Sequence, residues 1–217
     1  MLARILGLYE VNKHKVIKSL LRPGNTFIDI GVNKGDFSLL AAKIVGKAGH
    51  ILSFEPEPTN VRWTKKSIAL NEYNNIQIFE IALSDGNGTA KLYLGKKSGL
   101  HTLVPNRRAR DCGIINVMTK TLDRFFEEVE FNFSIDMIKI DVEGSEMQVL
   151  RGARRVLSEN NNVMLLIDIH PRLGVNPENV CNYLIEEGFS IFHERPPFSV
   201  PVTKYSRHLT SIFARRI

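Results

Sequence analysis

The sequence predicts an α/β fold, an open parallel sheet with helices on both faces, and two observations carry this prediction. Short apolar runs of strand length alternate along the chain with longer segments whose apolar residues recur at helical spacing. Glycine turns follow two of these runs, at Gly31 to Gly35 and at Gly144. Strands that alternate with helices form parallel sheets, because the crossover helix lets the next strand run in the same direction.

The composition is that of one folded domain, which we take to span residues 1–217. Hydrophobic residues make up 43% of the chain and charged residues 24%, which excludes a largely disordered protein. Cys112 and Cys181 form neither a zinc-binding spacing nor a disulfide framework, so we expect a cytoplasmic location. No apolar run approaches the ~18 residues that cross a bilayer, and the N-terminal apolar stretch is too short for a signal peptide.

Residues 1–23 contain the first predicted element. Apolar residues between 2 and 21 alternate with lysines and arginines as on an amphipathic helix, which Pro23-Gly24 ends. We interpret this helix as a lid or packing helix on a core that spans residues 24–217. Peripheral contact of the helix with an anionic membrane surface is the alternative interpretation.

Helical spacing and period-two alternation predict the remaining elements. Thr59 is a predicted N-cap, and the most apolar strand, 163–170, is predicted to be central. A polar loop inserted at 95–116 is expected to cover the site, because loops of this length in compact domains are usually functional or disordered. The predicted strands are 26–30, 50–55, 76–81, 89–94, a brief strand from 117, the β-rich run from 136, 163–170, 189–193 and 209–215; the predicted helices are 37–45, 59–71, 121–128, 147–157 and 177–187.

The turn after the first strand is the predicted ligand site, since ligands bind outside the carboxyl ends of strands in open α/β sheets. A dinucleotide fingerprint would require glycine where the chain has Asn33 and Asp36, so dinucleotide binding is disfavoured. The spacing Asp29-x-Gly31-x-x-x-Gly35 instead suits a ligand with an ammonium and a carboxylate group, which a helix N-terminus attracts. Glu55 ends the second strand, where a carboxylate can accept both hydroxyls of a ribose.

Together these motifs resemble the FkbM family of S-adenosylmethionine-dependent methyltransferases. The resemblance covers residues 25–171 and rests on four motifs in order, Phe27-Ile28-Asp29-Ile30-Gly31-Val32-Asn33-Lys34-Gly35, Phe54-Glu55-Pro56, Ala82-Leu83-Ser84-Asp85 and Ile138-Lys139-Ile140-Asp141-Val142-Glu143-Gly144-Ser145-Glu146. It implies a Rossmann-like class I methyltransferase sheet of seven mostly parallel strands with a C-terminal antiparallel hairpin. It also implies methyl transfer from S-adenosylmethionine to a hydroxyl of a sugar, polyketide or related small molecule or glycan.

The resemblance also implies roles for individual residues. Asp29, Gly31 and Gly35, with Asn33 between them, would hold the methionyl part of the cofactor. Glu55, next to Pro56, would bind the ribose, and the segment ending in Ala82 and Leu83 would bind the adenine. Asp141 and Glu143 would border the transferred methyl group. The chain departs from the family pattern at Asp168 and at His101-Thr102, which affects the acceptor rather than the cofactor.

Transfer of a sulfonium methyl group requires an aligned acceptor oxygen and a base for its proton. The candidate bases are His170, Asp141 and Glu143, all at predicted strand ends on the cofactor side. A purely structural role of His170, holding the turn at Pro171, is equally consistent with the sequence. A divalent metal held by Asp141, Glu143, Asp168 and His170 is the less favoured interpretation, so no metal site is assigned from the sequence.

Two other functions remain as alternatives to a small-molecule methyltransferase. A catalytically silent protein could keep the cofactor fold and bind a partner or membrane through its basic N-terminal helix. Methylation of RNA or protein could use the basic run from Arg107 to Arg110. We expect no nucleic-acid partner, because the net charge of +6 is scattered and no basic stripe interleaves with aromatic residues.

Overall fold

The computed structural model describes residues 11–105, 112–129, 131, 133–193, 201–202, 205 and 208–217. Within these residues the main sheet has seven strands in the order β3-β2-β1-β7-β8-β10-β9. Strands β1, β2, β3, β7 and β8 are parallel, and β10 runs antiparallel to both β8 and β9. The strands are β1 Thr26–Ile30, β2 His50–Phe54, β3 Ile76–Phe79, β7 Met137–Ile140, β8 Met164–Asp168, β9 Ser190–Phe192 and β10 Ser211–Arg215.

Seven α-helices lie in the described residues, and alternate positions of the strands pack against them on the two faces. One face, with Phe27 of β1 and Met137 of β7, packs with buried residues of α1 and α2. The other face, with Ile28 and Ile138, packs with α4, α5, α6 and α7. The helices are α1 Val11–Leu20, α2 Asp36–Val45, α3 Pro58–Leu70, α4 Leu122–Glu128, α5 Glu146–Arg151, α6 Arg154–Glu159 and α7 Pro177–Glu186. The predicted seven-stranded sheet with its antiparallel hairpin is confirmed.

A second, three-stranded sheet corrects the expectation that one sheet accounts for the chain. It pairs β4 Ala82–Leu83, β6 Ile114–Lys120 and β5 Gly88–Tyr93 in that order. The predicted strand 76–81 ends at Phe79 because the chain then leaves the main sheet for the small one. The predicted loop 95–116 is shorter than expected, since β6 begins at Ile114 and a 3₁₀ turn occupies Ser98–Leu100.

Two further expectations are adjusted by the structure. The predicted helix 147–157 is two helices, α5 and α6, because Gly152 lies between them against the carbonyl of Ser84. The strand predicted to be central, β8, lies between β7 and β10 rather than in the middle of the sheet.

Residues 1–10 and the basic run Arg107 to Arg110 lie outside the described residues. No helix within the described part is long and apolar enough to span a membrane.

Candidate active site

A cleft opens at the carboxyl ends of β1, β2, β7 and β8. Its floor is formed by the turn after β1, the end of β2 and the residues that follow β7 and β8. The small sheet and the segment after β5 form the opposite wall. Nearly all predicted site residues line this cleft, namely Gly31, Asn33, Glu55, Pro56, Ala82, Leu83, Asp141, Glu143 and His170.

The turn after β1 is shaped by residues with left-handed backbone conformations. Gly31 has a φ of 81°, and a Cβ there would overlap the backbone carbonyl oxygen of Asp141. Only glycine therefore allows the ends of β1 and β7 to approach each other at this point. Gly35, with a φ of 86°, packs against Thr64 instead and does not line the cleft.

Glu55 fixes this turn from the end of the neighbouring strand. Its Oε2 accepts a hydrogen bond from the backbone N–H of Asn33 at 2.7 Å, and its Oε1 accepts one from the N–H of Glu57 at 3.0 Å. Burial raises the pKa of Glu55 to about 7, against the lowering effect of these hydrogen bonds. The side-chain oxygen Oδ1 of Asn33 is buried and has no hydrogen-bond partner, so the turn contains a hydrogen-bond acceptor that no protein group uses.

Asp29 lies beneath the cleft, which corrects the expectation that its side chain borders the ligand. It is fully buried, and its carboxylate accepts hydrogen bonds from Ser38 Oγ at 2.6 Å and Lys139 Nζ at 3.3 Å. Strand register places Lys139 of β7 and Ser53 of β2 directly beside Asp29. Asp29 is therefore part of a buried polar layer that supports the cleft from below.

The buried Lys139 connects this polar layer to the cleft. Its Nζ lies 3.5 Å from the carbonyl oxygen of Gly31 and 3.6 Å from Oδ2 of Asp141. An ammonium group this deep in a protein needs negative partners, and Asp29 and Asp141 supply them. Lys139 thus positions both the glycine turn and the first acid of the cleft. The sequence motif contained this lysine, but the partner 110 residues away was not predictable from spacing.

Asp141, Glu143 and His170 form a compact cluster at the ends of β7 and β8. His170 Nε2 lies 3.5 Å from Glu143 Oε2 and 3.8 Å from Asp141 Oδ1. The other ring nitrogen, Nδ1, lies 2.6 Å from Oε1 of Glu146, which is completely buried. Glu143 has a left-handed backbone conformation with a φ of 51°, so its side chain projects from a strained turn. The three predicted catalytic residues are brought together.

Charges in this cluster shift the acid–base properties of its members. Burial lowers the pKa of His170, but the hydrogen bond to Glu146 and the charges of Glu143, Glu146 and Asp141 outweigh it and raise that pKa to about 9. His170 is therefore protonated near pH 7 and is a weaker general base than the sequence suggested. Burial raises the pKa of Glu143 to about 7, against the nearby charge of His170, so Glu143 is closer to the ideal of a base near neutral pH.

Lys13 is a site residue that sequence reasoning missed. It lies in the first turn of α1, is only 8% exposed, and forms an ion pair with Asp168, which lines the cleft. Its charge also lowers the pKa of Asp141 and of Glu143, although burial has the largest effect on both. The amphipathic pattern predicted the helix, but only packing of the helix onto the sheet brings Lys13 to the cleft.

The segment from Leu94 to Pro105, which we call the strap, covers part of the cleft as predicted for the loop. Thr102 anchors it through a hydrogen bond from its Oγ1 to the carbonyl oxygen of Glu143 at 2.5 Å. On the other side, Nδ2 of Asn60 donates to the carbonyl oxygen of Ser98 at 3.4 Å. Nδ1 of His101 accepts a hydrogen bond from the N–H of Gly95 at 3.0 Å. The strap residues that line the cleft are Ser98, Gly99, His101, Thr102 and Leu103.

Residues 29–191 match the model of the Methyltransferase FkbM domain family, which is three quarters of the chain. The chain belongs to the FkbM methyltransferase family. The 2-O-methyltransferase NoeI of Sinorhizobium fredii is 28% identical to this FkbM chain in an alignment of 161 positions, and the match covers 67% of this chain and 65% of NoeI. The predicted family is confirmed.

Solved structures with the same fold include FkbM and other methyltransferases. The methyltransferase FkbM of Methylobacillus flagellatus superposes with a TM-score of 0.57 at 16% identity, over 93% of this chain and 50% of that one. The S-adenosylmethionine-dependent O-methyltransferase of Thermotoga maritima gives 0.52 at 12% identity, over 96% and 66% of the two chains. At these identities the likeness establishes the class I methyltransferase fold. This FkbM chain spans about two thirds of NoeI and half of the Methylobacillus chain.

Proposed function

We propose that this chain is an S-adenosylmethionine-dependent methyltransferase that methylates a hydroxyl group of a small molecule or glycan. The observation that carries the proposal is the cleft itself. It joins a part lined by Gly31, Asn33 and Glu55 to a cluster of acid–base groups at Asp141, Glu143 and His170. Family membership supports methyl transfer, and the relative NoeI is a 2-O-methyltransferase, which supports a hydroxyl acceptor.

The chemistry of the cleft residues fits S-adenosylmethionine. The unpartnered Oδ1 of Asn33 can accept a hydrogen bond from the ribose or from the ammonium group of the cofactor. Oε2 of Glu55 has a free lone pair after its bond from the N–H of Asn33, so it can accept one ribose hydroxyl. Oε1 already accepts from the N–H of Glu57 and, at 3.4 Å, from Nδ2 of Asn60, so the second hydroxyl would replace the long bond from Asn60. We place the adenine between Pro56 and the wall formed by Ala82, Leu83 and Leu92.

When bound, the cofactor supplies an electrophilic methyl group on a positively charged sulfur. The acid groups that line this end of the cleft favour a cationic sulfonium over a neutral thioether there. We assign Glu143 as the residue that accepts the hydroxyl proton, because its pKa of about 7 matches neutral conditions. In the ion-free cleft we assign His170, as a protonated imidazole, to orienting Glu143 and Asp141. Asp29 and Lys139 support the site without touching the ligand.

One of the alternatives from the sequence has less support in the structure. The apolar residues Val16 and Ile17 of α1 are fully buried against the sheet, so that face of the helix is used for packing rather than offered to a membrane. The basic run proposed to bind RNA lies outside the described residues.

The two cysteines are both free thiols, which supports a reducing compartment such as the cytoplasm as the proposed location.

Calorimetric titration with S-adenosylhomocysteine tests the cofactor assignment, with Glu55→Gln as the variant and the exposed Glu72→Gln as its matched control. We expect one-site binding by wild type and by Glu72→Gln, and binding at least about tenfold weaker by Glu55→Gln, since one ribose hydroxyl then loses its acceptor. Absence of binding by the folded wild-type protein would support the silent protein instead. Labelled methyl transfer to mono- and oligosaccharides and to small phenols and alcohols then tests the acceptor class.

A further inference from the structure

The charged groups beneath and beside the cleft do not balance. Among the described residues, the ion pairs around Lys13, Lys139 and His170 join these three basic side chains to five carboxyl groups, namely Asp29, Asp141, Glu143, Glu146 and Asp168. Lys13 is paired with Asp168, and Lys139 is paired chiefly with Asp29 and also lies 3.6 Å from Asp141. Asp141, Glu143 and Glu146 surround the single imidazole of His170, and a cation would offset the excess of negative charge in this network.

Three ligand atoms of this cluster already lie close together. One oxygen of Asp141, one of Glu143 and Nε2 of His170 lie within 4.8 Å of one another, and all three residues line the cleft. Ligand atoms about 2.1 Å from an octahedral ion are about 3 Å apart, so small side-chain rotations would bring these atoms into a coordination sphere. Asp168, the fourth ligand considered from the sequence, is instead engaged by Lys13.

The orientation of His170 is fixed from behind, as it is for histidines that bind metals. Nδ1 lies 2.6 Å from Oε1 of Glu146, and this places Nε2 toward Asp141 and Glu143. A carboxylate that holds the second ring nitrogen sets the tautomer of the histidine and raises its basicity as a ligand. Glu146 is 0% exposed, and its second oxygen, Oε2, has no hydrogen-bond partner. This buried and only partly satisfied acid is a second indication that a positive charge belongs in the cluster.

We propose that Asp141, Glu143 and His170 bind a divalent transition-metal ion at the acceptor end of the cleft. Two carboxylate oxygens and one imidazole nitrogen form a mixed ligand set that suits Mn²⁺ or Fe²⁺ better than Mg²⁺, which prefers oxygen alone. The remaining coordination positions face the cleft, where the hydroxyl oxygen of the acceptor can occupy one of them.

The consequence for catalysis rests on the proposed function, whereas ion binding does not. A hydroxyl bound to a divalent ion is more acidic than a free one. In the transfer, the bond between sulfur and methyl carbon breaks, its electron pair stays on sulfur, and the acceptor oxygen forms the new bond to carbon. The hydroxyl proton moves to the oxygen of Glu143 that does not bind the ion. The proton on His170 Nε2 leaves to solvent when the ion binds, so binding strengthens as pH rises.

Titration of the metal-free protein with Mn²⁺ tests the proposal, with the electron paramagnetic resonance signal of free Mn²⁺ as readout. We expect one ion per chain, and binding weakened by at least about 100-fold in His170→Asn and in Glu143→Gln. Glu146→Gln keeps all three ligands and should weaken binding about 10- to 100-fold. The exposed Glu178→Gln in α7 is the matched control and should bind like wild type. Circular dichroism shows which variants are folded.

A measurement on the wild type alone covers the case in which the variants do not fold. Bound Mn²⁺ should broaden the ring proton signals of one histidine out of six far more than the others. Absence of Mn²⁺ and Fe²⁺ binding near pH 8, or binding that is equal in wild type, His170→Asn and Glu143→Gln, overturns the metal site. Binding of S-adenosylhomocysteine by the chelator-treated protein is measured in parallel, so that failure of the metal site and failure of the cofactor site are distinguished.

Discussion

At the scale of single residues, the two acids on neighbouring strands, Asp29 and Glu55, have different tasks. Asp29 is buried against Lys139 and Ser38, whereas Glu55 lines the cleft and accepts backbone N–H groups of the turn. The sequence places both at strand ends and gives no means of separating them. In the structure the two differ in position. The side chain of Asp29 lies within β1 and points to the face of the sheet that carries α2, whereas Glu55 lies just after the last residue of β2.

Asp29→Asn should therefore destabilise the protein more than Glu55→Gln does. Loss of the Asp29 charge leaves Lys139 buried with only the more distant Asp141, and breaking a buried ion pair costs about 3–5 kcal/mol of unfolding free energy. Glu55→Gln retains an acceptor for the N–H of Asn33 but leaves the buried N–H of Glu57 without one, and should cost about 1–3 kcal/mol. Urea unfolding measures both. An Asp29→Asn protein of wild-type stability that no longer binds S-adenosylhomocysteine would show that Asp29 contacts the ligand after all.

Binding of S-adenosylhomocysteine should depend on pH through Glu55. Burial raises the pKa of Glu55 to about 7, and the ionised carboxylate is the form that accepts two ribose hydroxyls. Below that pKa the free protein holds a proton that binding must expel, so affinity should fall by up to about tenfold per pH unit as pH decreases. Calorimetry between about pH 5.5 and about pH 8.5 checks this. The same pH slope in Glu55→Gln would assign the effect to another group.

At the scale of elements, the ends of β1 and β7 meet at Gly31. The backbone there has a φ of 81°, and the space that a Cβ would need is filled by the carbonyl of Asp141. This contact connects the turn that we propose holds the cofactor to Asp141, which we propose borders the transferred methyl group. A shift at either strand end therefore changes the geometry at both halves of the cleft.

Gly31→Ala should damage both the fold and ligand binding. The left-handed backbone costs an alanine about 1–2 kcal/mol, and the overlap with Asp141 forces the two strand ends apart at further cost. We expect S-adenosylhomocysteine to bind more than about tenfold more weakly. Gly86→Ala is the matched control, since Gly86 lies in a turn with open space around it. Equal affinity of Gly31→Ala and Gly86→Ala would mean that the turn does not shape the cofactor site.

Most of the elements were predictable because their signals are local. Alternation and glycine turns predicted the strands of the main sheet. The motifs placed Glu55, Asp141 and Glu143 at strand ends, and the apolar strand 163–170 placed His170 at its own end. The small sheet was not predictable as a sheet, because β5 pairs with β6 across a long connection and β4 contains only Ala82 and Leu83. Strand propensity indicates that a segment is extended, but pairing depends on tertiary contacts.

At the scale of the whole molecule, α1, the first helix described, brings Lys13 to the Asp168 side of the cleft. Val16 and Ile17 bury its apolar face against the sheet, and Lys13 reaches Asp168, 155 residues further along the chain. Contacts over such separations leave no pattern in the sequence. For the same reason the partner of Lys139 was predictable from neither strand alone. The ion pairs of Lys13 and Lys139 are therefore the part of the site that could be found only in the structure.

Lys13→Met should keep the fold and shift the pH dependence of turnover. Val16 and Ile17 still hold α1 in place, but the buried carboxyl group of Asp168 loses its partner, so the melting temperature should fall while the protein stays folded. Lys13 lowers the pKa values of Asp141, Glu143 and Asp168, although burial affects each of them more. Without Lys13 these pKa values rise, and the acid limb of the pH–rate profile should move to higher pH by on the order of half a unit to one unit.

The exposed Lys15→Met, two residues along the same helix, is the control for this shift. It removes an equal charge from α1 at a distance from the cleft, and its profile should coincide with that of wild type. A profile of Lys13→Met that also coincides with wild type would show that the ion pair with Asp168 only attaches the helix.

A crystal structure of the protein with S-adenosylhomocysteine tests the central claim most directly. We predict that the ribose hydroxyls lie on Glu55, the homocysteine part lies beside Gly31 and Asn33, and the sulfur faces Asp141, Glu143 and His170. A complex in which the ligand binds elsewhere, or in which the cleft stays empty at saturating ligand, would contradict the assignment of this cleft as the methyl-transfer site.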